Sequence, residues 1–216
     1  GRAAATRSTS SRSSPKRTSC STVTFGPGEL CTARRYSSGS GGDGIYIGRT
    51  EKNAGCTDIR IRAVVCDDNY RQGISVISAR NLLVERCVLR GTEGTAPQAG
   101  IDFEPNKPDE FLVDCVVRDC VIEKNAYYGL LFVMPLNEKS EPVSIRVENC
   151  RVRDNKAGAL EVHPTKVSGL IELKGNECHF QEHDDQFPHR WLLIQARQLV
   201  PDPRDQDCRY AVDPLH

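Results

Sequence analysis

Two carboxylates flank one aromatic residue in the stretch QAGIDFEPNKPDE, Gln98 to Glu110, where Asp102 and Glu104 stand on either side of Phe103. Alternation of this kind reads as a strand with both acids on one face. Further along, ALEVHP places Glu161 and His163 in the same alternating relation. Like charges held together push one carboxyl toward the neutral acid and leave the other ionised, which is the division of labour that general acid/base chemistry needs. An imidazole beside a carboxylate serves the same end. The competing reading is that these are the polar face of an ordinary strand, and the choice depends on what lies above and below them.

The elements that must position these residues form a repeat. Four segments align without gaps: IRIRAVVC from Ile59, LLVERCVL from Leu82, CVVRDCVI from Cys115 and IRVENCRV from Ile145. Their first apolar column is Ile59, Leu82, Cys115 and Ile145, and the second is Ile61, Val84, Val117 and Val147. After a one-residue offset follow Val64, Cys87, Cys120 and Cys150, then Cys66, Leu89, Ile122 and Val152. A weaker fifth copy starts at Ile171, with Leu173 and Cys178 in column and Asn176 out of pattern.

A second strand follows each copy after a small residue, Gly73, Gly100, Gly129 or Ala159, with Asn69, Asn125 and Asn155 four residues earlier in three of them. These strands read GISVIS, GIDFEP, GLLFVM and ALEVHP, and GIYIGR from Gly44 fits the same template. Each unit is therefore expected to hold two short strands joined by a tight turn. Successive starts differ by 23, 33, 30 and 26 residues. A two-strand unit cannot bury its apolar face alone, whereas stacked units share one core. β-Branched residues and period-2 alternation exclude a helical solenoid. The expected fold is all-β: a parallel solenoid of about five to six short coils, each about 4.8 Å above the last.

In such a stack the outward face of the second-strand sheet carries the columns Tyr46, Ser75, Asp102, Leu131, Glu161 and Gly48, Ile77, Glu104, Val133, His163. Asp102 and Glu161 are then two coils apart, roughly 10 Å. The asparagines read as turn fillers, since Asn accepts left-handed backbone and bonds its own main chain. The inward cysteines read as small hydrophobes in a reduced stack.

No metal site is expected. No Cys-x-x-Cys pair occurs, and Cys178, His179 and His183 give only an isolated His-x-x-x-His spacing. Gly39 to Gly44 matches Gly-x-Gly-x-x-Gly but lacks the flanking strand and helix of a phosphate cradle, so it reads as a loop into the first coil.

Charge is unevenly divided along a chain whose net charge is zero. Residues 1–40 hold seven Lys and Arg against Glu29 alone and are expected to be a poorly ordered Ser/Thr/Arg-rich segment. The remainder is acidic, and no aromatics interleave with the leading basic residues, so nucleic acid is not an expected partner. No apolar run approaches the ~20 residues of a membrane span, and no charged-then-apolar leader marks a secretory signal. The solenoid is expected over 41–180 and a C-terminal cap or tail over 181–216. Within that tail HRWLLIQARQLVPDP from His189 is stopped by Pro201 and Pro203.

The Asn-x-x-x-Gly-Ile units and inward columns, over roughly Gly41 to Phe180, resemble the right-handed parallel β-helix of the pectin-lyase-like superfamily. The resemblance implies a groove for a polysaccharide, an acidic one, on the second-strand sheet, with acids there serving hydrolases or holding calcium in lyases. It implies Asp102, Glu104, Glu161 and His163 as catalytic candidates and Tyr46, Arg49, Arg71 and Lys107 as substrate contacts. It also implies an extracellular or cell-envelope setting. The superfamily's lyases use a Lys or Arg base, and this sheet offers Arg49, Arg71, Lys107 and Lys166 only at its edges. No complete pectate lyase or polygalacturonase motif is present, and a non-catalytic glycan-binding or adhesin-like module is the alternative.

Overall fold

The computed structural model describes residues 36–49, 55–163, 165–178 and 208–212. The basic leader, His179 and His183, and the stretch from His189 to Pro203 lie outside them. No helix among the described residues is long and apolar enough to cross a membrane.

The chain winds through three parallel sheets in turn. The short strands β1 (Tyr36–Ser38), β4 (Val65–Asp67), β7 (Val88–Arg90), β10 (Val121–Glu123), β13 (Arg151–Arg153) and β16 (Glu177–Cys178) form sheet A. Sheet B stacks β2 (Ile45–Ile47), β5 (Ile74–Val76), β8 (Ile101–Phe103), β11 (Tyr128–Phe132) and β14 (Gly158–Val162). Sheet C stacks β3 (Cys56–Arg62), β6 (Ala79–Glu85), β9 (Leu112–Arg118), β12 (Val143–Glu148) and β15 (Gly169–Lys174), and β17 (Cys208–Val212) pairs antiparallel with β15.

Each coil thus holds three strands, which corrects the two-strand expectation. The segment taken as one strand is a sheet C strand and a sheet A strand joined by a bend. Its hinge is a residue in the left-handed region: Ala63 (φ 53°), Arg86 (53°), Asp119 (55°) and Asn149 (52°). That residue is the one-residue offset between the apolar columns. It turns the chain and resets which side chains face inward.

The columns themselves hold in register: Ile59 pairs Leu82, Leu82 pairs Cys115, and Cys115 pairs Ile145. The core between the sheets is the stack of these inward residues, with the Phe103 and Phe132 rings stacked 5.1 Å apart in nearly parallel planes. Cys56, Cys66, Cys87, Cys115, Cys120, Cys150 and Cys178 are free thiols among the described residues, and those at the bends do more than fill space. The Sγ atoms of Cys87, Cys120 and Cys150 lie 3.3, 3.2 and 3.4 Å from the carbonyls of Glu85, Arg118 and Glu148, capping the last strand carbonyl before each bend. Asn176 takes this place in the last coil, accepting from Cys150 N–H and donating to Val147 O, both at 2.8 Å. A residue out of the apolar pattern therefore belongs to the column after all.

The asparagines stack as turn fillers. The Asn155 side-chain oxygen accepts from Asn125 Nδ2 at 2.8 Å, and the Asn125 oxygen accepts from Thr92 N–H at 3.2 Å. Outside, charges alternate up the axis. Arg62, Glu85, Arg118 and Glu148 are successive register partners on sheet C, and Asp67, Arg90, Glu123 and Arg153 on sheet A. Glu85 is the tightest point, 2.8 Å from Arg62 and 2.5 Å from Arg118. Opposite charges directly across neighbouring strands stabilise that register over a slip.

The small-residue column is set by backbone crowding. A Cβ on Gly100 would meet Ile122 Cγ2 at 2.4 Å and Gly129 O at 2.7 Å; one on Gly129 would meet Val152 Cγ1 at 2.4 Å and Ala159 O at 2.9 Å. Only the last member, Ala159, carries a methyl group. Gly129→Ala is expected to destabilise the fold by ~1–3 kcal/mol through overpacking, whereas Gly41→Ala, with no atom within 4 Å, changes stability by less than ~0.5 kcal/mol. Denaturant midpoints of the two variants measure the contrast; equal shifts would refute the crowding argument.

Candidate functional site

Sheet B register places the proposed columns side by side. Tyr46 pairs Ser75, Ser75 pairs Asp102, Asp102 pairs Leu131, and Leu131 pairs Glu161. The face does not behave as one wet surface. Ser75 and Asp102 are fully buried, and Leu131 is nearly so.

The reason lies in the turn that leads into each sheet B strand. Gln72, also fully buried, donates from Nε2 to Asp102 Oδ2 at 2.7 Å. Its neighbour Arg71 donates from Nη2 to both Glu104 oxygens, at 2.9 and 3.1 Å, and from Nη1 to Asp43 at 3.2 Å. Burial pushes the Asp102 carboxyl up to about 8, reinforced by the Glu104 charge and only partly offset by Gln72 and Arg71. Asp102 therefore holds its proton at neutral pH. Burial likewise raises the Asp43 carboxyl against the pull of Arg71. For Arg71, burial works toward deprotonation, but Glu104 and Asp43 outweigh it and hold the guanidinium charged.

Tyr46 joins this group. Its ring lies where a Gly48 side chain would be, with Cε1 2.1 Å from that Cβ position. Burial raises its phenol, and the charges of Glu104, Glu110 and Asp43 raise it further.

Glu161 and His163 form a second group two coils away, with Oε2 and Nε2 3.3 Å apart and side chains 26% and 45% exposed. Beside them are Tyr127 and Tyr128, whose rings meet edge to face at 4.6 Å. Burial raises both phenols, and the Glu161 charge raises them further. Between the groups Leu131 makes an apolar step.

Of the other expected contacts, Arg49 is paired with Asp109, and the Lys107 side chain is exposed. Sequence reasoning passed over Asp43, Gln72, Tyr127, Tyr128 and Asp109. The first, second and fourth share one position, immediately before the small residue that opens each sheet B strand. That position was legible as a column and was not read as one. Among the described residues no group of three or more His, Cys, Asp or Glu is arranged to hold a metal ion.

A profile described as the right handed beta helix region matches residues 29–167. The chain belongs to the right-handed β-helix family. The three parallel sheets and the superfamily resemblance agree with this placement. No curated protein and no solved structure matches the chain. The family is a fold class hosting many chemistries, so its membership fixes the scaffold and leaves activity to the site.

Because the folded state holds the Asp102 proton well above the ordinary carboxylate range, stability contributed by that proton is complete at low pH. It is lost as pH rises toward about 8. Wild-type stability is expected to fall across that window by up to about 1.4 kcal/mol per pH unit relative to Asp102→Asn, whose amide imitates the neutral acid. Urea unfolding of both proteins from pH 5 to pH 9 reads the difference, and a pH-independent gap would show that Asp102 is ionised in the fold.

Proposed function

We propose that this β-helix binds a polysaccharide along sheet B and hydrolyses it, with Glu104 and Glu161 as the working carboxyls. What supports this reading is one juxtaposition: two solvent-reachable carboxylates on one sheet face, in adjoining outward columns two coils apart. The two lie two rungs apart and two residues apart along the strand, a backbone separation of roughly 12 Å, which the side chains must close by leaning together over the apolar step to the ~6.5–9.5 Å that an inverting glycosidase leaves for its water.

The roles divide by surroundings. Glu104, oriented by two hydrogen bonds from Arg71, is assigned the base that activates water. Glu161, 3.3 Å from the His163 ring, is assigned the acid that protonates the leaving oxygen. Tyr127, 37% exposed, offers an aromatic face for a sugar ring. Asp102 is too deeply buried to touch substrate and acts as a positioning residue under Glu104. Elimination is less well served, because Arg71 is bound to two carboxylates and held charged, the wrong state for a base.

Incubation with a polysaccharide panel is expected to release new reducing ends without absorbance near 235 nm. Glu161→Gln and Glu104→Gln should each lower the rate by ~100-fold or more while oligosaccharide binding persists. Absorbance near 235 nm would establish a lyase instead. Binding without cleavage would establish the non-catalytic module, a reading favoured by how completely Arg71 occupies Glu104.

A further inference from the structure

Three of the buried thiols stand in one file. Cys87, Cys120 and Cys150 each follow the left-handed hinge residue of a coil, Arg86, Asp119 or Asn149, and each is 1% exposed. The backbone fixes their spacing: Val121 N–H donates to Cys87 O at 2.9 Å, and Arg151 N–H to Cys120 O at 2.8 Å. Successive thiols therefore stand one rung, about 4.8 Å, apart at the backbone. Disulfides form across Cα separations of roughly 4.4–6.8 Å. Cys115 is buried to the same 1%, but its register neighbours are Leu82 and Ile145, so neither adjoining rung offers it a thiol.

The file is connected through its sulfurs. The Cys120 thiol is hydrogen-bonded to Cys150 on one side and Cys87 on the other, and Cys87 N–H donates to Cys120 Sγ at 3.4 Å. Those bonds pull the two outer thiols below the ordinary thiol range against the effect of burial, while the same bonds and burial push Cys120 up. The outer sulfurs are thus the readier nucleophiles, and the central one is the partner common to both. The cover over them is one residue deep: the three hinge residues are exposed, and Val88 and Val121 are half-buried. Hydrogen peroxide, little larger than water, needs only a local opening of this corner to reach them.

We propose that Cys87, Cys120 and Cys150 form a site of reversible oxidation by a hydroperoxide, holding one disulfide at a time with Cys120 in either pairing. In the first step an outer sulfur, Cys87 or Cys150, attacks one oxygen of hydrogen peroxide. The O–O bond breaks, the sulfur becomes a sulfenic acid, and the thiol proton leaves with the other oxygen as water. The Cys120 sulfur then attacks the sulfenic sulfur, the S–O bond breaks, and a second water departs with the Cys120 proton. Two thiols lose two electrons, and the peroxide becomes two waters. An odd file always leaves one thiol over. That thiol attacks Cys120 and releases the opposite sulfur, so the bridge moves one coil without further oxidant. The site lies at the bend between sheets C and A and does not depend on the glycan reading of sheet B.

Trypsin leaves the three cysteines in separate peptides, residues 87–90, 119–124 and 147–151, so each pairing has its own mass. The full chain is treated with hydrogen peroxide without denaturant, alkylated, digested and read by mass spectrometry. Linked pairs 87–120 and 120–150 are expected, together at most one per chain, with no 87–150 pair and none to Cys115. Dithiothreitol should reverse both. Cys120→Ser should abolish both pairs, whereas Cys87→Ser should keep the 120–150 bridge and Cys150→Ser the 87–120 bridge. Column peptides that stay unlinked when the exposed Cys178 is already oxidised would overturn the proposal. So would linkage that appears only in urea, a prevalent 87–150 pair, or undiminished linkage in Cys120→Ser. Should Cys120→Ser fail to fold, the outer variants decide alone, because loss of both bridges in either one refutes Cys120 as the shared partner.

Discussion

Everything in this molecule depends on parallel, in-register hydrogen bonding between one coil and the next. A rung of about 4.8 Å leaves each side chain directly above its counterpart, so any residue type is judged by the neighbours above and below it at every turn of the stack. Gly73, Gly100 and Gly129 are glycines because the next coil's carbonyl occupies the space of a Cβ. Cys87, Cys120 and Cys150 recur because a thiol is small, apolar and able to meet the carbonyl at the bend. The alternating charges on sheets A and C answer the same demand from outside, since a like-charged ladder at that spacing would oppose the stacking that creates it.

The same constraint explains where the candidate residues stand. A column that repeats one residue type is accounted for by the stack, and a column that changes type at every rung is not. Tyr46, Ser75, Asp102, Leu131 and Glu161 share one column and have almost nothing in common. Asp102 is the sharpest departure, a carboxyl on an outward position that the turn residues Arg71 and Gln72 close over. The scaffold tolerates it because the acid can keep its proton and because Gln72 supplies a hydrogen bond. Burial without such help would be costly.

Columns were legible in the sequence because register in a solenoid is a matter of counting. The inward positions, the asparagine stack and the order of the sheet B columns all follow from spacing alone. Three-dimensional closure was not legible. Ala63, Arg86, Asp119 and Asn149 turn the chain through left-handed backbone, and nothing in alanine or arginine announces that conformation. Asp102 looked solvated because its cover comes from a turn, not from its own strand. The pairing of Arg49 with Asp109 crosses sixty positions and depends on the path of an insertion, which no periodicity encodes.

Insertions are the one freedom that the stack leaves. Within a coil each added residue must be hidden in a turn, and between β8 and β9 the chain uses that freedom to reach back along the axis toward β2. The result divides the sheet B face. Near that insertion Asp43, Arg71, Gln72, Asp102 and Glu104 are linked to one another through the side chains of Arg71 and Gln72. Toward β14 Glu161, His163 and Tyr127 remain open to solvent. A rigid, closed cluster beside an open one is the arrangement a site needs when one part must hold a ligand in register and another must move protons. The rigid part is inexpensive here because the solenoid already fixes the backbone beneath it, and the insertion adds only the pairing of Arg49 with Asp109.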